Sequence, residues 1–487
     1  MQMSGRGSAA GRDEMDELAT GPLGGLLFRY SWPALAAMSL NALYAVVDRL
    51  WIGRGCGEAA MAGLQLAMPL MMFFGACGVF IGAGHATVLS IRLGVGDREA
   101  CEKVVGQLVA LKLLFFLVLP PLVYFNLDSV LGWCGGGGVS AEALTAAKSY
   151  LRTVVFFGVF SHLAFGLSAL QRAEGGAVRS MMSMAVGFGA NLVLDTLFIF
   201  GFGLGVVGAA WATNVSMVLS FLWAARYYLR GETVVAFRWR RVGLYREFLG
   251  RAMALGFAPF LQNLLGSLIG VSLAAAFAKW AGSPEAATRQ IASLGVYNAM
   301  MILTIMPIMG TQQGLQPIFG YNWGARNFRR VRGALRLGLW ATTALCAVAF
   351  VLQVVPPFPR LFVRMFVSAG NQALVDLATH DLAVANCMIW TISVNVVATT
   401  YFQSIGHPRM AVILSTLRQG VILLPCIWLL PRFMQDHALA IWLALPISDV
   451  LCQLATVLPL VLHARFLSRV RRREEIAARP ASPRWTR

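Results

Sequence analysis

The sequence predicts an all-α membrane protein, with twelve transmembrane helices in two six-helix, pseudo-symmetric bundles. Three observations predict it. Of the 487 residues 58% are hydrophobic and only 13% charged, against about 25% charged in an ordinary soluble domain. Apolar runs such as LLFFLVLPPLVYF (113–125) and VSMVLSFLWAARYYL (215–229) lie in stretches that approach or exceed the ~20 residues needed to cross hydrocarbon. The largest internal basic cluster, Arg226 through Arg251, divides the chain almost in half. Backbone groups in hydrocarbon must be satisfied within their own segment or a closed barrel, and these stretches lack the alternation of barrel strands, so the spans are helices.

Polar and Gly/Pro-rich breaks place the elements in order. Residues 1–25 carry Asp13, Glu14, Asp16 and Glu17 and no apolar core, so they read as a cytoplasmic segment and not as a cleavable signal peptide. The first lobe, 26–230, holds spans at 26–52, 60–90, 104–126, 150–170, 181–203 and 207–230. A basic cytoplasmic linker, 231–249, leads to the second lobe, 250–464, with spans at 250–279, 290–318, 333–356, 382–406, 410–432 and 437–464. A basic tail, 465–487, follows. Its arginines, from Arg465 to Arg473, are expected to meet anionic lipid headgroups, at about 1 kcal/mol each.

Lys and Arg number 30 on the side of the two termini, nine on the other side, and one, Lys112, within a span. That asymmetry puts both termini in the cytoplasm of a multi-pass cell-membrane protein, and it accounts for the net charge of +18 without nucleic acid. The eight cysteines form no CxxC and read as small packing residues. The halves also resemble each other: SIRLGVGDREACEKV (90–104) ends span two and PIFGYNWGARNFRRV (317–331) ends span eight, with Gly96 and Gly324 in corresponding places. Same-way repeats of this kind are a common transporter plan.

Carboxylates inside the spans are few: Asp48, Asp195 and Asp449, with Asp381 near the start of span ten. A charge at the bilayer centre costs about 2.5–3.5 kcal/mol on insertion scales, which makes each one a functional candidate. Asn191 precedes Asp195 by one helical turn and shares its face, and Thr213 follows on the next span. Carboxylate, amide and hydroxyl oxygens suit Na⁺, and a desolvated carboxylate equally holds H⁺. The alternative is that Asn191 and Asp195 serve as interhelical polar glue. For Asp48 the alternative is an ion pair with Arg49 or Arg54; Arg49, its immediate neighbour, points elsewhere on a regular helix. Asp449 near Ser448 is left without a role. His85 and His162 could relay protons, though a lone histidine in a bundle is more often a packing residue. GLGVVG (203–208) matches GxGxxG but joins two membrane helices, so it reads as a tight turn and not a dinucleotide loop. The 21 methionines and 11% aromatics suit amphiphilic cations and lipid-facing packing alike. No nucleophile–base set, P-loop or metal cluster stands out. The chain is therefore expected to be neither an enzyme nor an ATP-driven pump, to need no cofactor, and to draw its energy from an ion gradient.

Several landmarks together carry a resemblance. LYAVVDRLWIGRGCGEAAMAGL (43–64), GAGHATVLSIRLGVGD (82–97), LQRAEGGAVRSMM (170–182) and NLVLDTLFIFGFGLGVVGAAWAT (191–213) in the first half, with QPIFGYNWGARNFRRV (316–331) and QSIGHPRMA (403–411) in the second, are similar to the multidrug and toxic compound extrusion (MATE) family, in its bacterial multidrug branch. The resemblance implies two lobes around a central cleft that export organic cations and drugs in exchange for Na⁺ or H⁺ by alternating access, a basis for antibiotic resistance. It implies a first-lobe cation site at Asp48, Asn191, Asp195 and Thr213, with Na⁺ possible there. Some sodium-coupled members also carry second-lobe acids on helices seven and ten. Here those helices offer Gln262, Asn263 and Asn395, which leaves these three as substrate-cleft candidates and coupling in the first lobe. The expected partners are small organic cations and membrane lipids, and the chain is expected to work as a monomer. The alternatives are a lipid-linked oligosaccharide flippase, for which a cationic cavity would be expected, and a receptor that binds without flux.

Overall fold

The computed structural model describes the backbone of residues 16–56, 58–133, 140–280, 282–366 and 371–477, and their side chains except 41–50, 53–55, 58–59, 61, 464 and 467–477. Twelve long helical segments follow in order. They are α1 Leu23–Cys56, α2 Glu58–Val95, α3 Arg98–Phe125, α4 in two rods Ala141–Val154 and Gly158–Ala173, α5 Ala177–Gly201, α6 Gly205–Leu229, α7 Arg246–Trp280, α8 Pro284–Gly324, α9 Phe328–Val354, α10 Gln372–Ser404, α11 Pro408–Arg432 and α12 His437–Ala477. Ten are long and apolar enough to cross a membrane, and α4 makes eleven as a bent pair; α1, 34 residues long, completes the twelve spans.

Two spans differ from expectation. The fourth is not one rod at 150–170: its two pieces meet at 57°. The break is stabilised from outside, because Asn214 on α6 donates to the Thr153 carbonyl at 2.8 Å, while the Phe116 ring packs where a Cβ on Gly158 would be, at 3.1 Å. Removing the donor with Asn214→Ala leaves a part-buried carbonyl without this partner, at about 1–3 kcal/mol. A fall in thermal stability of that order in detergent is expected, and an unchanged melting point would show that something else takes the bond. The tenth helix begins at Gln372, not 382, which puts Asp381, buried at 3% exposure, inside it.

The repeat is confirmed with a shifted register. Asp97 caps α3 by accepting from Ala100 N at 3.1 Å, and Asn327 caps α9 by accepting from Arg330 N at 3.3 Å. Aligning these two caps sets Gly94, not Gly96, opposite Gly324. Gly96 instead corresponds to Arg326, and both hold a positive φ, 84° and 56°.

The halves meet along a seam of small residues, as membrane helices without a hydrophobic driving force require. A Cβ on Gly84 would lie 1.9 Å from Ala252 O, one on Gly256 1.9 Å from Phe80 O, and one on Gly324 3.1 Å from Gly94 Cα. Gln316 Nε2 donates to Thr87 Oγ1 at 3.0 Å, Ser90 Oγ to Pro317 O at 3.3 Å, and Arg92 pairs with Glu247 at 3.4 Å. These residues lie in the last halves of α2 and α8 and the first half of α7, so the seam closes the end of the bundle that carries the termini. Residues 16–22 join it: Leu18 is fully buried in a cluster with Leu315, Phe319 and Tyr401, and Arg330 donates to the carbonyls of Leu18 and Gly21. This part of the N-terminal segment is thus packed on the second half.

The linker is keyed to the first half. Arg238 and Arg241 pair with Glu102 and Glu99 at 3.0 and 3.1 Å. The buried carboxyl of Glu174, just beyond α4, accepts from Tyr228 Oη at 2.9 Å and from the N–H groups of Val234 and Val235 at 3.0 and 3.4 Å. Burial outweighs these donors and pushes its pKa up to about 7 from 4.5. Between those values the folded protein keeps a proton that the unfolded chain has lost, so stability falls as pH rises through the window, by about 3 kcal/mol at 1.36 kcal/mol per unit. Glu174→Gln is expected to flatten the decline in melting temperature between pH 5 and pH 8. A native protein with no such decline would contradict the assignment.

Candidate cation site in the first half

α5 carries Asn191 and Asp195 on one face, and both are buried, at 2% and 1% exposure. Directly after Asp195 the helix widens into a π turn, Thr196–Gly201, a feature often found where a helix is bent to serve a site. Gly203 and Gly205, with φ of 65° and 56°, then reverse the chain into α6, and Gly208 comes within reach of the Phe198 carbonyl. The Gly-rich run is the tight turn and close packing that the sequence implied. It brings Thr213 back beside α5. With its nitrogen towards Asp195, the Asn191 amide donates to Oδ2 at 2.8 Å and its oxygen accepts from Thr213 N at 3.3 Å. The Thr213 hydroxyl donates to Ala209 O at 3.0 Å.

Three of the four expected residues are therefore one hydrogen-bonded group. The fourth, Asp48, is on α1, but its side chain lies outside the described residues. α1 packs along α5, and Trp51, one turn beyond Asp48, meets Phe200 edge-on at 5.7 Å between ring centroids. A cavity of about 150 Å³ opens beside Asn191 and Thr213, walled by Phe165, Met184, Phe188 and Met217. Drug-sized sites run to about 300–1,000 Å³. The cavity suits a small cation and its water, or one end of a larger molecule.

The second-half candidates do not share one place. Gln262 and Asn263 are exposed on α7, and Asn263 lies one turn from Ser267, whose hydroxyl faces Met72 Sδ of α2 at 3.8 Å. Asn395 is buried and ties three helices of the second half together, donating to Leu414 O at 3.0 Å and Thr456 Oγ1 at 3.3 Å. His85 bonds Ile81 O through Nδ1 at 2.8 Å. His162 stacks on Phe115 and meets Phe116 edge-on, at centroid distances of 5.5 and 4.7 Å.

For several other charges in the spans the structure supplies partners that the sequence did not name. Lys112 is fully buried and donates to Gly78 O at 3.3 Å, its stem in the space left by Gly166. Asp381 accepts from Ser293 Oγ at 2.7 Å. Arg418, assigned to the cytoplasmic side in the basic count, lies inside α11 and pairs with Asp449 of α12 at 2.6 Å. Its place eight residues into a span already drawn at 410–432 was the available signal. Without it the basic count stands at twenty-nine against nine.

Comparisons with known proteins agree across both halves. The MatE family model matches residues 33–197 and 262–429. The chain is 26% identical over 437 residues to the multidrug export protein MepA of Staphylococcus aureus (strain MRSA252), covering 89% of this chain and 92% of that protein. It is 24% identical over 432 residues to MepA of Staphylococcus saprophyticus, with the same coverage. Among solved structures it resembles the MATE multidrug transporter DinF-BH in complex with R6G, with 29% identity, a TM-score of 0.79, and 90% of this chain and 95% of that one covered. A MATE in the bent conformation superposes with a TM-score of 0.86 at 22% identity, covering 94% and 98%.

Proposed function

The chain belongs to the MATE family of multidrug efflux transporters, and on that premise we propose that a cation, Na⁺ or H⁺, entering at Asn191, Asp195 and Thr213 drives the export of amphiphilic organic cations. The observation that carries this reading is the Asn191–Asp195–Thr213 group, three buried polar residues joined across two helices, through the Asn191 amide and the Thr213 backbone N–H, beside a cavity. An intramembrane carboxylate is costly without a use. Here it is held by an amide that can present either face: nitrogen to a bare carboxylate, or oxygen, after a turn about its last torsion, to a cation that the carboxylate and the Thr213 hydroxyl share.

The excess of basic residues at the closed end supports a cytoplasmic position for that end and for both termini. The seam would then shut the cytoplasmic mouth and leave the cleft facing outward, the state in which drug leaves and the driving cation arrives. Cation binding would favour a conformation with poor drug affinity, and the membrane potential adds about 2.3 kcal/mol per charge per 100 mV, or about forty-fold in drug concentration for one net charge. The test is counter-transport of a fluorescent organic cation by the native chain in proteoliposomes, under Na⁺ and H⁺ gradients imposed separately. Flux that follows one gradient identifies the ion. Correctly inserted protein that moves drug under neither gradient would refute the reading and favour the flippase alternative.

A further inference from the structure

The two halves treat one position in opposite ways. Counted from the starts of α5 at Ala177 and α11 at Pro408, Gly187 and Arg418 stand at the same place, ten residues on. Counted from Gly205 of α6 and His437 of α12, so do Met217 and Asp449, twelve residues on. The contacts agree with this register: a Cβ on Gly187 would lie 2.9 Å from Ser220 Cβ and 3.6 Å from Ser216 O, and Arg418 faces the matching stretch of α12. In the first half this place is open and forms part of the cavity of about 150 Å³. In the second half it is filled by the Arg418 guanidinium, with Nε 2.6 Å from Asp449 Oδ1. Asp449 is buried at 4% exposure. The other ionisable side chains that feel the pair are Tyr297, Cys346, Cys387 and Cys452, all uncharged at neutral pH in ordinary surroundings.

We propose that Arg418 is a tethered cation: it permanently occupies a cation site in the second half, built on Asp449, that is the counterpart of the first-half cavity. Arg418 therefore leaves the mobile cation a single place to bind, in the first half. This rests on the reading that the first half holds the coupling site. A guanidinium suits the task because it cannot be deprotonated and its planar fork matches a carboxylate, so the blockade does not lift with pH as one made by lysine could.

The experiment counts cations bound per chain in detergent, with ²²Na⁺ and in parallel by proton release in weak buffer. The native chain is expected to bind one and Asp195→Asn none. Arg418→Gln, which frees Asp449, is expected to bind two, and Arg418→Gln with Asp449→Asn one again. If Arg418→Gln does not fold, the volume-matched pair Arg418→Met with Asp449→Leu is expected to do so, since well-packed apolar residues commonly replace a buried ion pair without loss. That pair should keep one cation per chain and native gradient-driven export. A folded Arg418→Gln that still binds one, a native chain that binds two, or an apolar pair that folds but loses coupling would each overturn the proposal. A cation retained by Asp195→Asn would instead overturn the first-half coupling site.

Discussion

In Asp195→Asn, gradient-driven export is expected to vanish while the protein still inserts and still binds drug. The substitution keeps the shape of the side chain and its polarity. It removes the charge on which the Asn191 amide bond is centred, 2.8 Å away, and with it the means of holding Na⁺ or H⁺. The drug gradient built against an imposed gradient of the coupling cation should fall to none, because the variant carries no cation inward in exchange for drug. Downhill exchange of drug across the vesicle should survive, which separates lost coupling from lost folding. Full uphill transport at equal protein density would place the coupling site elsewhere. Thr213→Ala should give a milder defect, since the Thr213 backbone N–H that meets Asn191 remains.

Gly256→Val is expected to have the second large effect, on conformation instead of on chemistry. Its Cβ would sit 1.9 Å from the backbone oxygen of Phe80, inside a continuous helix that cannot give way locally. Overpacking of this kind costs about 1–3 kcal/mol or more, which shifts a two-state population by about five- to 150-fold. Here the cost falls only on the state in which the seam is closed. Cysteines at Thr87 and Gln316, whose side chains meet at 3.0 Å, report that state directly. Their cross-linking should drop at least several-fold in Gly256→Val, with export lowered in parallel. Undiminished cross-linking would show that α2 and α7 can part slightly without opening the seam.

The helices were legible in the sequence because length and hydropathy dictate them, and Asn191 and Asp195 because a one-turn spacing puts both on one face. What stayed hidden depends on tertiary contacts. The bend in α4 is stabilised by Asn214, sixty-one residues away, and no local pattern records it. The repeat was visible, but glycine matching set it two residues off, since only the helix caps Asp97 and Asn327 fix the register. Arg418 counts with the cytoplasmic residues when basic residues are summed by side, although it lies eight residues into its span; its contact with Asp449 shows what it does there. Asp381 reads as a residue at the start of span ten, and not inside it, because α10 begins ten residues before the apolar run becomes obvious.

Antiport through a shared first-half site requires that cation and drug oppose each other in binding. The most direct measurement is the affinity of a fluorescent organic cation for the detergent-solubilised native chain and for Asp195→Asn, as Na⁺ and then pH is varied. Drug affinity of the native chain should weaken as the coupling cation is added, while that of Asp195→Asn stays flat. An equal dependence on the cation in both proteins would contradict a coupling site at Asp195.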